Sequence, residues 1–271
     1  MDGAQASARL AGRVALVTGS SRGIGAAIAE RLALDGAAVA INYRSDRASA
    51  ERLVERLGPT ATAWQADVGD TEQASRLVAD VAERYGRLDV LVSNAGVWHG
   101  GRIDRVDPDD WRAVVDTSLL GAFTTCRAAV PLMRTAGFGR IVVISSVVGL
   151  IGFAEDTAYA AAKAASSASS RRWRGGRPLR RHRQRRRPRV HPDGHDRAVG
   201  EAEAAALVGR AAIPRAGRVE DVAAWSYHRD GGRVRHRPHP RRRRGHGPVA
   251  ASPAATAPVV TAVRRRLWSR A

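Results

Sequence analysis

The chain has 271 residues and a formal net charge of +19, which allows one α/β domain or two smaller ones. A single cysteine, Cys126, excludes a disulfide framework and suits a reducing compartment; it falls in a predicted helix, where a buried structural thiol is expected rather than a nucleophile. No apolar run approaches the ~18 residues of a spanning helix, and Met1 to Gly12 lacks the apolar core of a secretion signal, so no membrane partner and a cytoplasmic location are expected.

Charge is divided unevenly along the chain. Up to Ala165 there are 18 Lys+Arg against 19 Asp+Glu, whereas the remaining 106 residues carry 27 against 7. The excess basicity therefore begins just after Lys163.

Val14 to Val17 is a short apolar run that ends in Thr18-Gly-Ser-Ser-Arg-Gly-Ile-Gly25, and Ala26 to Leu34 then shows helical spacing. This predicts a strand, a glycine turn and a helix. Gly19, Gly23 and Gly25 let the backbone turn and approach a pyrophosphate, and the helix start offers free N–H groups to the anion. Further strands are predicted at Ala38–Ile41, Ala61–Gln65, Val90–Ser93 and Arg140–Ile144, separated by helices at Ala48–Leu57, Thr71–Tyr85 and Asp109–Arg134. Strands apolar on both faces and alternating with helices imply an α/β fold with a doubly wound parallel sheet. In such a sheet Gly19, Asp67, Asn94 and Ser146 gather at the carboxyl ends of the strands, where ligands bind.

These residues resemble the short-chain dehydrogenase/reductase family, in the branch that includes 3-oxoacyl-carrier-protein reductases. Thr18-Gly19-x-x-x-Gly23-x-Gly25 matches the family's cofactor turn, Asp67-Val68 its adenine-contacting pair, and Asn94-Ala95-Gly96 its strand-four motif. Ser146 with Tyr159-x-x-x-Lys163 matches its catalytic set. The resemblance runs from about Gly12 to Ala165. It implies a Rossmann fold, a nicotinamide cofactor held by Gly19, Ser21, Arg22, Gly23, Ile24, Gly25, Arg44, Asp67, Val68, Asn94, Ala95, Gly96, Tyr159 and Lys163, a carbonyl or secondary alcohol substrate, and a homo-tetramer or dimer.

The chemistry accounts for the residue types. Reduction of a ketone needs a proton for the developing alkoxide, and a tyrosine phenol ordinarily titrates near ~10. Lys163, one helical turn beyond Tyr159 on the same face, brings a positive charge that favours tyrosinate; in the family it also holds the nicotinamide ribose. Ser146 can hydrogen-bond the substrate oxygen. One position departs from the family pattern: Ser118 stands in Thr117-Ser-Leu-Leu-Gly121 where Asn is usual. A hydroxyl is shorter than an amide and has one rotating proton, so Ser118 is a weaker holder for a relay water.

The second strand ends in Asn42-Tyr43-Arg44-Ser45 rather than in an acidic residue. With Arg22 in the glycine turn, two guanidiniums suit a 2′-phosphate by charge and geometry, so NADPH is expected over NADH. Trp98 and His99 follow the strand-four motif as candidate substrate-border residues or plain loop residues.

Beyond Lys163 the chain divides into an Arg-rich stretch at 166–200, a family-like helical stretch at 201–225 and an Arg/Pro/Ala-rich tail at 226–271, after an N-terminal tail at 1–11 and the Rossmann part at 12–165. Read literally, Arg171 to Arg197 is a basic, irregular segment able to neutralise phosphates, but it lacks interleaved aromatics, and nucleic acid is not the expected partner. A one-base offset explains more. Shifted Arg codons can encode Val, Ala, Asp or Gly, so His182–Val190 permits Thr-Val-Asn-Ala-Val-Ala-Pro-Gly-Phe, and Arg233–Gly245 permits a run resembling the family's seventh strand. On this reading the C-terminal third is irregular as written, the chain is the product of a frame-slipped reductase gene, and weak or absent NADPH binding is expected. No organised element is expected beyond about Gly247.

Overall fold

The computed structural model describes residues 9–172 and the backbone of residues 260–265. Residues 1–8, 173–259 and 266–271, with the offset runs His182–Val190 and Arg233–Gly245, lie outside the described residues, whereas the start of the 166–200 stretch is described and is helical to Arg172 rather than irregular, because it continues the helix that carries Lys163.

Five strands, β1 (Val14–Val17), β2 (Ala38–Tyr43), β3 (Ala61–Gln65), β4 (Val90–Ser93) and β5 (Gly139–Ile144), form a parallel sheet in the order β3-β2-β1-β4-β5. The chain turns back across the sheet between β1 and β4, so the crevice at their carboxyl ends is a topological switch point. A sixth strand, β6 (Val260–Arg265), lies antiparallel along β5 with Val263 opposite Ile141, an element that the sequence does not predict.

The pleat sends alternate residues of β1 to opposite faces, and both faces are covered. Ala15 and Val17 pack with Ile28 and Leu32 of α1 (Gly23–Leu34) and Leu53 of α2 (Arg47–Leu57). Val14 and Leu16 pack with Leu77, Val78 and Val81 of α3 (Thr71–Tyr85) and with Ala129 and Met133 of α5 (Gly121–Thr135). Burying each Leu, Ile or Val side chain contributes about 1.5–3 kcal/mol. Aspartates start three helices: Asp46 accepts from the Ser49 amide at 3.0 Å, Asp70 from Glu72 and Gln73 at 2.8 and 2.9 Å, and Asp107 from Asp109 at 2.7 Å ahead of α4 (Pro108–Val115). Each cap satisfies amides that a helix leaves unpaired.

The predicted helix at Asp109–Arg134 is interrupted. A π-helical turn at Asp116–Leu120 separates α4 from α5 and carries Ser118. Two further helices, α6 (Val148–Ile151) and α7 (Thr157–Arg172), follow β5, and no described helix is long and apolar enough to cross a membrane.

At the amino-end edge of the sheet, Asp89 is fully buried and accepts from Arg13 at 2.8 Å, Arg87 at 2.7 Å and the Val14 amide at 3.0 Å. Burial pushes this carboxyl up, but the bonds from Arg87, Val14 and Arg13 outweigh it and hold it below the usual carboxylate range. A lowered folded pKa contributes stability that is present above the unfolded carboxylate value and lost as pH falls through the folded one. Asp89→Asn is expected to lower unfolding free energy at pH 7 by about 2 kcal/mol, measured by urea titration, with the difference closing as pH falls below the usual carboxylate range.

Candidate active site

The glycine turn sits at the switch point because its backbone has no room for side chains. Gly19 takes φ +59°, and a Cβ there would lie 2.8 Å from the Cα of Ala95; a Cβ on Gly25 would lie 2.5 Å from the Gly19 carbonyl oxygen and 2.6 Å from Asn94 Nδ2. Glycine is required at both positions. The turn is held by polar groups rather than by packing. Asn94 Nδ2 donates to the Thr18 and Gly19 carbonyls at 3.0 and 2.9 Å, and the amides of Asn94 and Ala95 donate to Thr18 Oγ1 at 3.0 and 3.1 Å. The strand-four motif is therefore bolted to the glycine turn, which makes Asn94 a brace for the turn.

Asn42, which the sequence reading leaves without a role, does the same from β2. Its Oδ1 accepts from the Gly19 amide at 3.0 Å while its Nδ2 donates to the Ala66 carbonyl at 3.0 Å. The signal was a polar side chain at the end of an apolar strand, and its burial requires that both ends of the amide find partners.

Ser21, Arg22, Gly23 and Ile24 lead into the start of α1, with Arg22 at the cap position in extended conformation and exposed. Arg44 and Asp67 meet at the adjacent strand ends, Nη1 to Oδ2, at 3.9 Å, and Asp67 Oδ1 accepts from the Gly69 amide at 2.8 Å. Val68 is buried with α3 and α5.

Lys163 is 3% exposed, and its Nζ donates to the Ile144 carbonyl at 3.0 Å and lies 5.4 Å from the centre of the Tyr159 ring. Burial pulls its amine down from 10.5 to about 8. The first turns of α7 are fastened to the end of β5 by Ser145, whose Oγ donates to the Lys163 carbonyl at 2.9 Å and pairs with Ser167 Oγ at 2.6 Å. Ser145 and Ser167 were invisible as site residues, because a serine beside Ser146 and another one turn past Lys163 carry no motif. Ser146 follows, and its Oγ accepts from the Val148 amide at 3.2 Å, which starts α6.

Ser118 reaches the same place from the π-turn. A methyl group on Gly96 would lie 3.3 Å from Ser118 Oγ and 3.5 Å from Lys163 Nζ, so Gly96 lies between them. Ser118 is 2% exposed, and its Oγ has no partner among the described residues. An orphaned buried hydroxyl is costly, and a hydroxyl aimed beside an ammonium suits a bound polar group or water. The structure thus brings Ser118, Ser146, Tyr159 and Lys163 to the carboxyl ends of β4 and β5, next to the braced glycine turn. His99 points elsewhere, with Nδ1 at 3.5 Å from Asp110 Oδ1.

A parallel sheet with a glycine turn at its switch point and a Tyr-x-x-x-Lys helix behind β5 defines a class of dinucleotide-binding folds, and sequence comparison narrows it. The family described as short chain dehydrogenase matches residues 13–175, and the chain belongs to that family. An uncharacterized oxidoreductase of Methylorubrum extorquens is 42% identical over 165 residues, covering 60% of this chain and 66% of that protein. The 3-oxoacyl-[acyl-carrier-protein] reductase FabG of Staphylococcus aureus is 40% identical over 153 residues, 55% of this chain and 62% of that protein. The chain thus spans somewhat less than two thirds of the length of these relatives. The crystal structure of a short chain dehydrogenase from Burkholderia cenocepacia in complex with NADP superposes with a TM-score of 0.67 at 36% identity, covering 80% of this chain and 89% of that one.

Proposed function

We propose that the chain is an NADPH-dependent oxidoreductase acting on a carbonyl or secondary alcohol, with Tyr159 as acid/base. The observation that carries this reading is the placement of a buried lysine ammonium 5.4 Å from the Tyr159 ring at the switch point. The residues present fit a nicotinamide dinucleotide. Gly19, Ser21, Arg22, Gly23, Ile24 and Gly25 would take the pyrophosphate at the start of α1, Asp67 and Val68 the adenine, and Asn94, Ala95, Gly96, Tyr159 and Lys163 the nicotinamide end. The bound cofactor supplies the hydride.

The chain's own residues handle the proton. Tyr159 gives its phenolic proton to the oxygen of the reacting carbonyl, and the Lys163 ammonium stabilises the charge left on the phenol oxygen. Ser146 Oγ orients the carbonyl oxygen, and Ser118 Oγ, which has no partner among the described residues, holds a polar group beside Lys163. Ile144 accepts from Lys163 and keeps its ammonium directed inward.

Arg22 and Arg44 support the preference for NADPH. Arg44→Ala is expected to raise the dissociation constant for NADPH about tenfold while that for NADH changes less than threefold, as read by quenching of tryptophan fluorescence. Equal losses for both nucleotides would remove the 2′-phosphate assignment. A cytoplasmic homo-tetramer or dimer goes with the same reading and is checked by light scattering on the purified chain.

The charge seam favours a second reading, that the chain is the inactive product of a frame-slipped gene. The partition at 165, 200 and 225 rests on composition and, for 201–225, on the family-like run Ile213–Ala223. Resequencing the locus together with peptide masses across Arg171–Arg197 decides between the two: an intact frame removes the second reading.

A further inference from the structure

The loop after β4 and the start of α7 are joined by a side-chain bond that lies outside the motifs. Trp98, two residues beyond Gly96, donates its indole Nε1–H to Asp156 Oδ1 at 2.9 Å. Asp156 is buried, and its carbonyl accepts from the Ala160 amide at 3.0 Å, so it opens the first turn of α7, three residues before Tyr159. The Gly101 amide adds a second bond across the same gap, to the Glu155 carbonyl at 2.7 Å. Between these two bonds the backbone is pressed flat: a Cβ on Gly100 would lie 2.2 Å from Trp98 Cζ2 and 2.9 Å from the Glu155 oxygen. Glu155 itself is held at φ +62°, a conformation that L-residues adopt only when their surroundings impose it.

We propose that Trp98 and Asp156 form a clasp that fixes the loop after β4 against the amino end of the catalytic helix, and that this clasp positions the substrate carbonyl at Tyr159. The inference rests on the reductase reading above. A ketone that reaches Tyr159 passes between the β4 loop and the β5–α7 loop, and the clasp sets the width of that passage. Trp98 is only partly covered, so its ring remains available as a wall beside the strand-four motif. His99 Nδ1, in the same loop, lies 3.5 Å from Asp110 Oδ1 of α4 in an exposed contact. Trp98 and Asp156 are thus positioning residues: they act through the placement of the loop and take no part in proton or hydride transfer. Burial pushes the Asp156 carboxyl above the usual carboxylate range, and the Trp98 bond offsets only part of that shift.

The test uses the full chain, NADPH and ethyl acetoacetate as a probe ketone. Trp98→Phe keeps the ring and removes the donor; Asp156→Ala removes the acceptor; Asp156→Asn retains it. Trp98→Phe and Asp156→Ala are expected to raise KM for ethyl acetoacetate about tenfold with kcat and NADPH affinity within twofold, the double variant being no worse than either single one, and Asp156→Asn staying within threefold of the parent. In the substrate-free chain, exchange of the Gly101 amide should quicken about tenfold in Trp98→Phe. An unchanged Gly101 amide overturns the clasp whether or not the chain turns over, and an unchanged KM, or additive effects in the double variant, overturns the positioning role. Absence of NADPH oxidation by the parent, with Gly101 responding as expected, overturns the reductase reading and the positioning role with it and leaves only a loop anchor.

Discussion

Replacing Tyr159 by Phe is expected to lower kcat about a thousandfold while NADPH affinity stays within a few fold. In the proposed mechanism the phenol hydroxyl is the proton source for the carbonyl oxygen, and removing a positioned acid costs roughly 10²–10⁴ in rate. The ring itself remains, so the packing of α7 against the sheet is undisturbed, and the Lys163 ammonium keeps its place over the ring at 5.4 Å and its bond to Ile144 at 3.0 Å. Stopped-flow measurement of NADPH consumption under single-turnover conditions separates the chemical step from product release. A rate within tenfold of the parent would assign the proton to another group, with Ser146 the first to examine.

Lys163→Met is expected to make the cofactor-free chain more stable and to abolish turnover. Burial holds the amine at about 8 in the folded chain against 10.5 for the exposed side chain, so between those values the unfolded chain binds a proton that the folded chain has released. Stability of the parent therefore rises with pH across that window, and below it the folded chain bears the whole cost of a buried charge, about 3 kcal/mol. Methionine removes that cost and leaves the Ile144 carbonyl without a donor, which offsets about 1 kcal/mol. The net gain is about 2 kcal/mol at pH 7, shrinking between pH 8 and 10.5. Urea unfolding of both proteins at pH 7 and pH 10 reads it directly. Lys163 is the only lysine in the chain, so its side-chain nitrogen resonance follows the titration without overlap from another lysine. A stabilised and inactive variant would show that the position is kept for chemistry rather than for folding.

The sheet was legible because its strands are apolar on both faces. The predicted limits of Val14–Val17, Ala61–Gln65 and Val90–Ser93 coincide with β1, β3 and β4, and Thr71–Tyr85 coincides with α3. The glycine turn and Tyr159-x-x-x-Lys163 were legible because their spacing is local. What escaped the sequence depends on distance or on a single inserted residue. The π-turn at Asp116–Leu120 changes the helical register without changing composition, so the stretch from 109 to 134 reads as one helix. Asn42 reaches Gly19 across 23 residues, Ser145 reaches Ser167 across 22, and Trp98 reaches Asp156 across 58, none of which a window of hydrophobic periodicity can sense. Strand β6 was missed for another reason. Val260, Thr261 and Val263 have the residue types of a strand, but they lie in a tail whose Arg, Pro and Ala content predicts no organised element, and pairing with β5 overrides that weak local preference.

If the switch point between β1 and β4 holds a nicotinamide and Tyr159 acts on a carbonyl beside it, NADPH is consumed only when a carbonyl is supplied. The most direct measurement is the loss of absorbance at the reduced-nicotinamide band when the full chain, charged with stoichiometric NADPH, is mixed with ethyl acetoacetate and, in parallel, with the corresponding alcohol as a blank. NADPH is expected to be consumed with the ketone alone, and Tyr159→Phe to eliminate that consumption. NADPH bound but unconsumed across a panel of ketones, or consumption that persists in Tyr159→Phe, would contradict it.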